Sequence, residues 1–146
     1  MKKIFAILLL GATLLLAEGI HWEKDYRAAV TKAGAAGKPI FFVFSSHGCK
    51  WCRHLEATTF SDPKVIATLN RDFINVIAYT DEGDYVPKAL WMPGTPALWF
   101  LDTRGEPMFQ AIPGAVGPKD FLEATVIVLK AFEQAKLKQR YGNQKQ

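Results

Sequence analysis

An apolar segment that runs straight into two cysteines constrains the fold of this chain more than any other feature. Residues 40–44 (I-F-F-V-F) are all apolar and rich in aromatic side chains, which is typical of a strand buried on both faces. A turn at 45–48 follows, and a helix is predicted to run from about Cys49 to about Thr58. Cys49 and Cys52 therefore stand at the start of a helix directly after a buried strand. This context favours redox chemistry.

The helix start distinguishes the two cysteines. Residues three apart lie one helical turn apart, so the two sulfurs can form a disulfide. Free N–H groups and the positive dipole end of the helix stabilise a thiolate at Cys49, and Lys50 adds a nearby cation. Cys52 lies further into the helix and is expected to be more buried. We therefore predict that Cys49 is the nucleophile, that Cys52 resolves the mixed disulfide, and that no organic cofactor is needed.

Other interpretations of the same residues stay open. A purely stabilising bridge is disfavoured because a loop this short constrains the unfolded chain little. His47, Cys49, Cys52 and His54 offer two imidazoles and two thiolates for zinc or copper. However, His54 is rotated by about 200° from Cys52 on the helix, which makes convergence difficult. Haem attachment is excluded because Arg53, not His, follows the second cysteine. A peptide-binding chaperone with an incidental disulfide is a third possibility.

The N-terminal residues have the pattern of a secretory signal. Lys2 and Lys3 precede an apolar stretch at 4–16, and Ala17 provides a small residue for cleavage. We predict a signal peptide at 1–17, a single domain at 18–146 and a periplasmic or secreted location. A retained anchor or a buried first helix are the alternatives. Loss of the two lysines lowers the net charge from +4 to +2.

Composition narrows the functional classes. The 146 residues are 49% apolar and 22% charged, which indicates one folded domain and excludes intrinsic disorder. Two cysteines are too few for a multi-bridge scaffold. No cluster of Lys and Arg marks a nucleic-acid surface. We expect a monomer that acts on other proteins.

The remaining patterns predict an α/β domain. A helix is expected over 22–36, where Gly37 ends it and Pro39 prevents its continuation. The other predicted elements are helices at 63–70 and 119–140 and strands at 73–79, 97–101 and 108–112. We therefore predict a four-stranded mixed sheet with helices on both faces. Trp22, Trp91 and Trp99 are expected in or beside the core, and the acidic residues at 81, 82 and 84 in a solvated loop.

Several motifs together resemble the thioredoxin superfamily. They are Gly37-Lys38-Pro39 before the apolar strand, the Cys-x-x-Cys motif, and Gly94-Thr95-Pro96 before a later strand. The segments 38–40, 49–56 and 59–65 resemble the C-terminal periplasmic domain of the reductase DsbD and related small secreted proteins. The resemblance implies a thioredoxin-like fold.

The resemblance also implies roles for individual residues. Thr95 and Pro96 would form a cis-proline loop beside the disulfide, and the Thr95 backbone would pair with a substrate strand. Glu56 matches a carboxylate that shifts the pKa values of the thiols in the DsbD domain. Independently of the resemblance, the position of Trp51 between the cysteines favours a docking surface over a ring folded back on the domain. His47 is either merely solvated or an aid to thiolate formation when protonated.

The activity that the resemblance implies is thiol–disulfide exchange with proteins. We predict a reductase that receives electrons from a membrane thiol reductase. A disulfide oxidase or isomerase is the alternative. One departure bears on this choice: Val43 replaces the buried strand carboxylate of thioredoxins, so Glu56 or a water must move the proton of the resolving thiol.

Overall fold

A computed structural model of the chain describes residues 18–143. Within that range a five-stranded sheet is covered by helices on both faces. The strands are β1 (Trp22–Glu23), β2 (Ile40–Ser45), β3 (Ile74–Tyr79), β4 (Ala97–Leu101) and β5 (Ile112–Pro113). The helices are α1 (Tyr26–Ala36), α2 (Lys50–Ala57), α3 (Pro63–Asp72) and α4 (Pro118–Asn143), with short 3-10 turns at Thr59–Ser61 and Lys88–Leu90.

The strand order is β1-β3-β2-β4-β5. β1 and β2 run parallel to β3, whereas β4 runs antiparallel to both β2 and β5. Ser45 pairs with Tyr79 at the ends of β2 and β3, and Phe44 pairs with Ala97 at the start of β4. The segments that follow β2 and β3 therefore meet the segment that precedes β4 at the same end of the strands.

Alternate residues of β2 enter two separate hydrophobic clusters. Phe42 and Phe44 face the cluster that contains Ala29 and Ala33 of α1. Phe41 and Val43 face the opposite cluster, which contains buried residues of α2, α3 and α4. The whole of β2 is buried, as its unbroken apolar sequence predicts. The strand that leads into the cysteines is thus held from both sides.

The predicted thioredoxin-like α/β fold is confirmed, but the number of strands, the start of the first helix and the place of the last strand differ from the prediction. The sheet has five strands instead of four, because the two-residue strand β1 forms within the segment predicted as the start of the first helix. Asp25 caps that helix by accepting a hydrogen bond from the Ala28 N–H, so it begins only at Tyr26.

The last strand was also misplaced. The predicted strand 108–112 is replaced by an isolated bridge between Leu101 and Pro107 and by β5 at Ile112–Pro113. Asp102 explains the difference, because its carboxylate accepts hydrogen bonds from the N–H groups of Arg104 and Glu106 and tightens the turn. The proline-containing segment then leaves the sheet and returns only for two residues.

The predicted signal segment 1–17 lies outside the described residues. Across 18–143, none of the helices combines the length and the apolar character needed to cross a bilayer.

Gly105 provides a stability prediction for this fold. Its φ is +87°, and a Cβ atom there would overlap the Tyr26 hydroxyl and press on Val30. Gly83 has a similar φ of +74° but faces open space. We expect Gly105→Ala to lower the free energy of unfolding by about 2–3 kcal/mol and the control Gly83→Ala by only about 1 kcal/mol. Urea unfolding followed by circular dichroism measures both. Equal losses would show that the close approach to Tyr26 does not matter.

Candidate active site

The disulfide lies just beyond the carboxyl end of β2, the central strand of the sheet. Cys49 is the N-cap of α2, and its Sγ accepts a hydrogen bond of 3.1 Å from the Cys52 N–H. The two cysteines form a disulfide, with Cα atoms 5.2 Å apart. A sulfur at this position is directed at the N–H groups of the first helical turn, where negative charge is stabilised. A thiolate formed at Cys49 on reduction would keep that contact.

Burial separates the roles of the two sulfurs. Cys52 is 1% exposed on the buried face of α2, whereas Cys49 is only half-buried. An incoming thiol or disulfide can therefore reach Cys49 but not Cys52. This asymmetry supports the assignment of Cys49 as the attacking sulfur and Cys52 as the resolving one.

The loop before β4 lies against the disulfide. The Thr95 carbonyl oxygen is 3.3 Å from Cys49 Sγ, and the Thr95–Pro96 peptide bond is cis. A groove of about 260 Å³ continues from Thr95 along the segment 91–94 to Phe44, Ser46 and Thr80. The loop thus offers backbone groups and an open groove next to the reactive sulfur.

Two tryptophans of this region are exposed, Trp51 in the Cys-x-x-Cys motif and Trp91 in the lining of the groove. Trp51 is 58% exposed, with the Lys50 ammonium 5.8 Å from its ring centroid. Trp91 is 63% exposed and rests on Phe44 with 5.4 Å between ring centroids. Trp91 thus lies beside the core, in contact with the buried Phe44, as the expectation for it allowed. Its ring covers the end of β2 from the solvent side because the segment that carries it lies outside the sheet.

His47 is held by contacts from a distant loop. Its ring stacks on Tyr79 with centroids 3.9 Å apart, and its Nε2 lies 2.6 Å from Glu82 Oε1. Its backbone carbonyl accepts a hydrogen bond of 2.8 Å from the Arg53 guanidinium. The imidazole thus lies beside the motif but is directed toward the acidic loop.

Asp81 fixes the turn that precedes the cysteines. Its carboxylate accepts hydrogen bonds from the backbone N–H groups of His47 (2.9 Å) and Gly48 (3.3 Å). Desolvation acts to raise the pKa of Asp81, but these backbone hydrogen bonds outweigh it and hold the pKa below its ordinary value. The expectation of a merely solvated acidic loop is therefore incomplete, since Asp81 anchors the turn after β2.

The lowered pKa of Asp81 predicts a pH dependence of stability. The Asp81 carboxylate binds its proton less readily in the folded chain than in the unfolded chain. Its contribution to the stability of the fold is therefore complete above about pH 4 to 5, and it is lost as the pH falls through the folded-state pKa. We expect Asp81→Asn to be less stable than the wild type at pH 7 and the difference to shrink toward pH 3. Thermal unfolding at several pH values measures this. The control Glu123→Gln removes an exposed carboxylate paired with Lys119 and is expected to change little. A constant difference for Asp81→Asn would contradict this explanation.

Glu56 lies one helical turn after Cys52 and has a partner on the sheet. Tyr79, the last residue of β3, donates a hydrogen bond of 3.2 Å from its hydroxyl to Glu56 Oε1. Burial, the negative charge of Glu56 and this hydrogen bond raise the pKa of Tyr79 to about 12, so its hydroxyl stays protonated at neutral pH. Val43 is fully buried among apolar side chains. Glu56 is therefore the carboxylate that α2 itself carries one turn after Cys52.

The alternative metal site lacks the convergence that it needs. Among the described residues, no three His, Cys, Asp or Glu side chains are grouped so that they could hold one metal ion. His47 is directed to Glu82, and His54 packs edge-on against Trp51 with 5.7 Å between ring centroids. The geometry therefore does not favour a zinc or copper centre built on the two cysteines.

Two residues of the site were not found from the sequence. Asp81 was assigned to a solvated loop, and Tyr79 was counted only as part of a strand. One available signal was that Tyr79 and Asp81 lie at the carboxyl end of a parallel strand, where sites form in open α/β sheets. Finding their partners requires the pairing of β2 with β3, which the sequence does not specify residue by residue.

Comparisons with known proteins agree with this geometry. The family model described as a thioredoxin-like domain matches residues 26–126. The thiol:disulfide interchange protein DsbD of Salmonella paratyphi A is 34% identical over 82 residues, which are 54% of this chain and 14% of that protein. The chain thus matches only a small part of the length of this curated relative.

Solved structures share the fold at lower identity. A Thermus thermophilus thioredoxin is 23% identical with a TM-score of 0.59, covering 83% of this chain and 90% of that one. The DsbH oxidoreductase is 18% identical with a TM-score of 0.62, covering 84% and 92%. The oxidised C-terminal domain of Neisseria meningitidis DsbD is 19% identical with a TM-score of 0.53, covering 72% and 97%.

The family model spans well over half of the chain, and it includes the Cys-x-x-Cys pair and the Thr95–Pro96 loop. This chain therefore belongs to the thioredoxin-like domain family.

Proposed function

We propose that this chain is a periplasmic or secreted thiol–disulfide oxidoreductase that reduces disulfides of other proteins. The observation that carries the proposal is the asymmetry of the Cys49–Cys52 pair, in which a half-buried sulfur caps a helix and a buried one lies a turn behind it. The match to a thiol:disulfide interchange protein supports the same chemistry. The redox-active pair itself carries the electrons, so no further cofactor is required.

The proposed reaction has two exchange steps. The Cys49 thiolate attacks one sulfur of a substrate disulfide, forming a mixed disulfide and releasing one substrate thiolate, which takes up a proton. The Cys52 thiol then loses its proton, and its sulfur attacks Cys49 Sγ. The second substrate thiolate leaves and is protonated, and the Cys49–Cys52 disulfide is formed. Two electrons pass to the substrate. A partner dithiol must then supply two electrons to reduce the Cys49–Cys52 disulfide again.

The substrate is proposed to lie along the groove beside Thr95. An extended segment carrying the substrate disulfide would pair with the Thr95 backbone and contact the exposed ring of Trp51. The Lys50 ammonium, and His47 when it is protonated, are proposed to favour the thiolate as it forms or leaves. A membrane thiol reductase is the proposed electron donor.

The reductive direction is a separate part of the proposal. A thiolate stabilised by a helix N-terminus makes a pair more oxidising, so the oxidase alternative rests on a real feature of the site. The standard redox potential decides between them. We expect a value near that of thioredoxin, about −270 mV, whereas a value near about −120 mV would indicate an oxidase.

Two experiments test the proposal. Reduction of insulin disulfides by the wild type, with dithiothreitol as the electron source, is expected to precipitate the B chain well ahead of a blank reaction. A Cys52→Ala variant expressed in a bacterial host is expected to hold partner proteins as mixed disulfides on Cys49, in the periplasmic fraction. A wild type that does not accelerate insulin reduction, together with a variant that traps nothing, would overturn the proposed function.

A further inference from the structure

Tyr79 connects two parts of the site that are distant in the sequence. Its hydroxyl donates to Glu56 Oε1 at 3.2 Å, and its ring stacks on His47 with an interplanar angle of 12°. Glu56 belongs to α2, which carries Cys52, and His47 belongs to the turn that precedes Cys49. One side chain of the neighbouring strand thus contacts the segments on both sides of the disulfide.

The position of Glu56 makes its orientation relevant to Cys52. Residues four apart on a helix lie on the same face, and side chains lean toward the helix N-terminus. Glu56 therefore belongs to the face of α2 that carries Cys52, one turn further along the helix. Glu56 also borders a cavity of about 290 Å³ whose other walls include Tyr79, Trp22 and Phe60. A cavity of this size has room for water that exchanges protons with a carboxylate.

Among the described side chains, Tyr79 is the one that donates a hydrogen bond to the Glu56 carboxylate. Ile77 on the same strand and Phe60 beside it are apolar. Arg53, one turn before Glu56 on α2, donates instead to the His47 carbonyl, and His47 Nε2 pairs with Glu82. The Tyr79 hydroxyl is protonated at neutral pH and remains a donor throughout the reaction.

We propose that Tyr79 is a positioning residue that holds the Glu56 carboxylate toward Cys52, so that Glu56 accepts the Cys52 proton in the resolving step. This inference rests on the proposed function and adds a residue to it. The strand carboxylate that is absent at Val43 is replaced by a carboxylate on the helix, oriented from the adjacent strand. In this step the proton passes from Cys52 Sγ to Glu56, the new Cys49–Cys52 bond forms, and the bond between Cys49 and the substrate sulfur breaks.

A chromogenic aromatic disulfide, 5,5′-dithiobis(2-nitrobenzoate), separates the two exchange steps. The reduced protein releases a first thionitrobenzoate when Cys49 attacks and a second when Cys52 resolves the mixed disulfide. Stopped-flow absorbance therefore gives one rate for each cysteine. We expect Tyr79→Phe, which keeps the stacked ring and removes the hydroxyl, to slow the second phase about fivefold to tenfold. The first phase is expected to change by less than about twofold.

A double-mutant cycle distinguishes positioning from general loosening. Glu56→Gln is expected to slow the second phase about a hundredfold. If Tyr79 acts through Glu56, Tyr79→Phe has less than about a twofold further effect in the Glu56→Gln background. The matched control is Tyr26→Phe, which removes a hydroxyl that donates to the Gly105 carbonyl at 3.1 Å on the other face of the sheet. It is expected to leave both phases unchanged.

The outcomes separate this inference from the proposed function. A wild type that releases no second thionitrobenzoate would overturn the proposed function itself. A wild type with two phases and a Tyr79→Phe variant with an unchanged second phase would overturn the inference alone. Equal slowing of both phases, or the full effect of Tyr79→Phe retained in the Glu56→Gln background, would also overturn it. If Tyr79→Phe fails to fold, an unchanged second phase in Glu56→Gln would overturn the inference instead.

Discussion

Cys49→Ser is expected to lose disulfide reduction by at least about a thousandfold, down to the rate of the blank reaction. The reason is that Cys49 is the sulfur that a substrate can reach, while Cys52 is 1% exposed on the buried face of the helix. A serine hydroxyl at the helix N-terminus cannot form the covalent intermediate with a substrate sulfur. Insulin reduction under the same dithiothreitol supply measures the loss.

Cys52→Ser is the matched control for this prediction. It keeps Cys49 and its helix position, so it is expected to form one mixed disulfide per molecule and then to stop, or to turn over slowly with external thiol. Retention of most of the activity by Cys49→Ser would reverse the assignment of the two sulfurs. Rapid alkylation of Cys52 in the folded reduced protein would contradict the burial argument in the same way.

Phe41→Ala is expected to lower the free energy of unfolding by about 3–5 kcal/mol. Phe41 is fully buried in β2, and its ring lies 5.1–6.4 Å, centroid to centroid, from four other rings. These rings belong to Trp22, Phe60, Phe100 and Phe121. Truncation leaves a cavity between the sheet and the helices on that face, and several elements would have to move together to fill it.

Urea unfolding measures the effect of Phe41→Ala, with Phe109→Ala as the control. Phe109 is 41% exposed, and its truncation is expected to cost less than about 1 kcal/mol. A loss below about 1.5 kcal/mol for Phe41→Ala would show that this aromatic cluster is not the main core of the domain. Leu55 of α2 packs in the same cluster, so the destabilised variant is also expected to open the active-site helix more often.

Local patterns were sufficient to predict the centre of the site. The all-apolar stretch at 40–44 is strand β2, and α2 begins at Lys50 with Cys49 as its cap. Both follow from residues that are close in the sequence: aromatic and β-branched side chains for the strand, and a turn with Gly48 before the helix. The cap of α3 was equally local, since Asp62 precedes a proline at the first helical position.

Features that depend on pairing between distant segments were harder to predict. Asp81 caps the turn at His47 across 34 positions, and Tyr79 reaches Glu56 across 23. A tyrosine at the end of a strand and an aspartate in a loop are common in any sequence, and only the register of β2 against β3 gives them partners. The exact place of Trp91 has a related cause. Its large apolar side chain favours contact with the core, but only the fold places it on the outer side of Phe44, beside the groove.

The redox state of the Cys49–Cys52 pair in the folded protein is the property on which the proposed function depends most directly. The protein is equilibrated with graded mixtures of reduced and oxidised glutathione or dithiothreitol, quenched with acid and alkylated, and the blocked thiols are counted by mass spectrometry. We expect a reversible two-electron transition with the fold unchanged by circular dichroism, and brief alkylation of the reduced form at Cys49 first. A pair that stays oxidised across the whole range, and reacts only after unfolding, would contradict the proposed function.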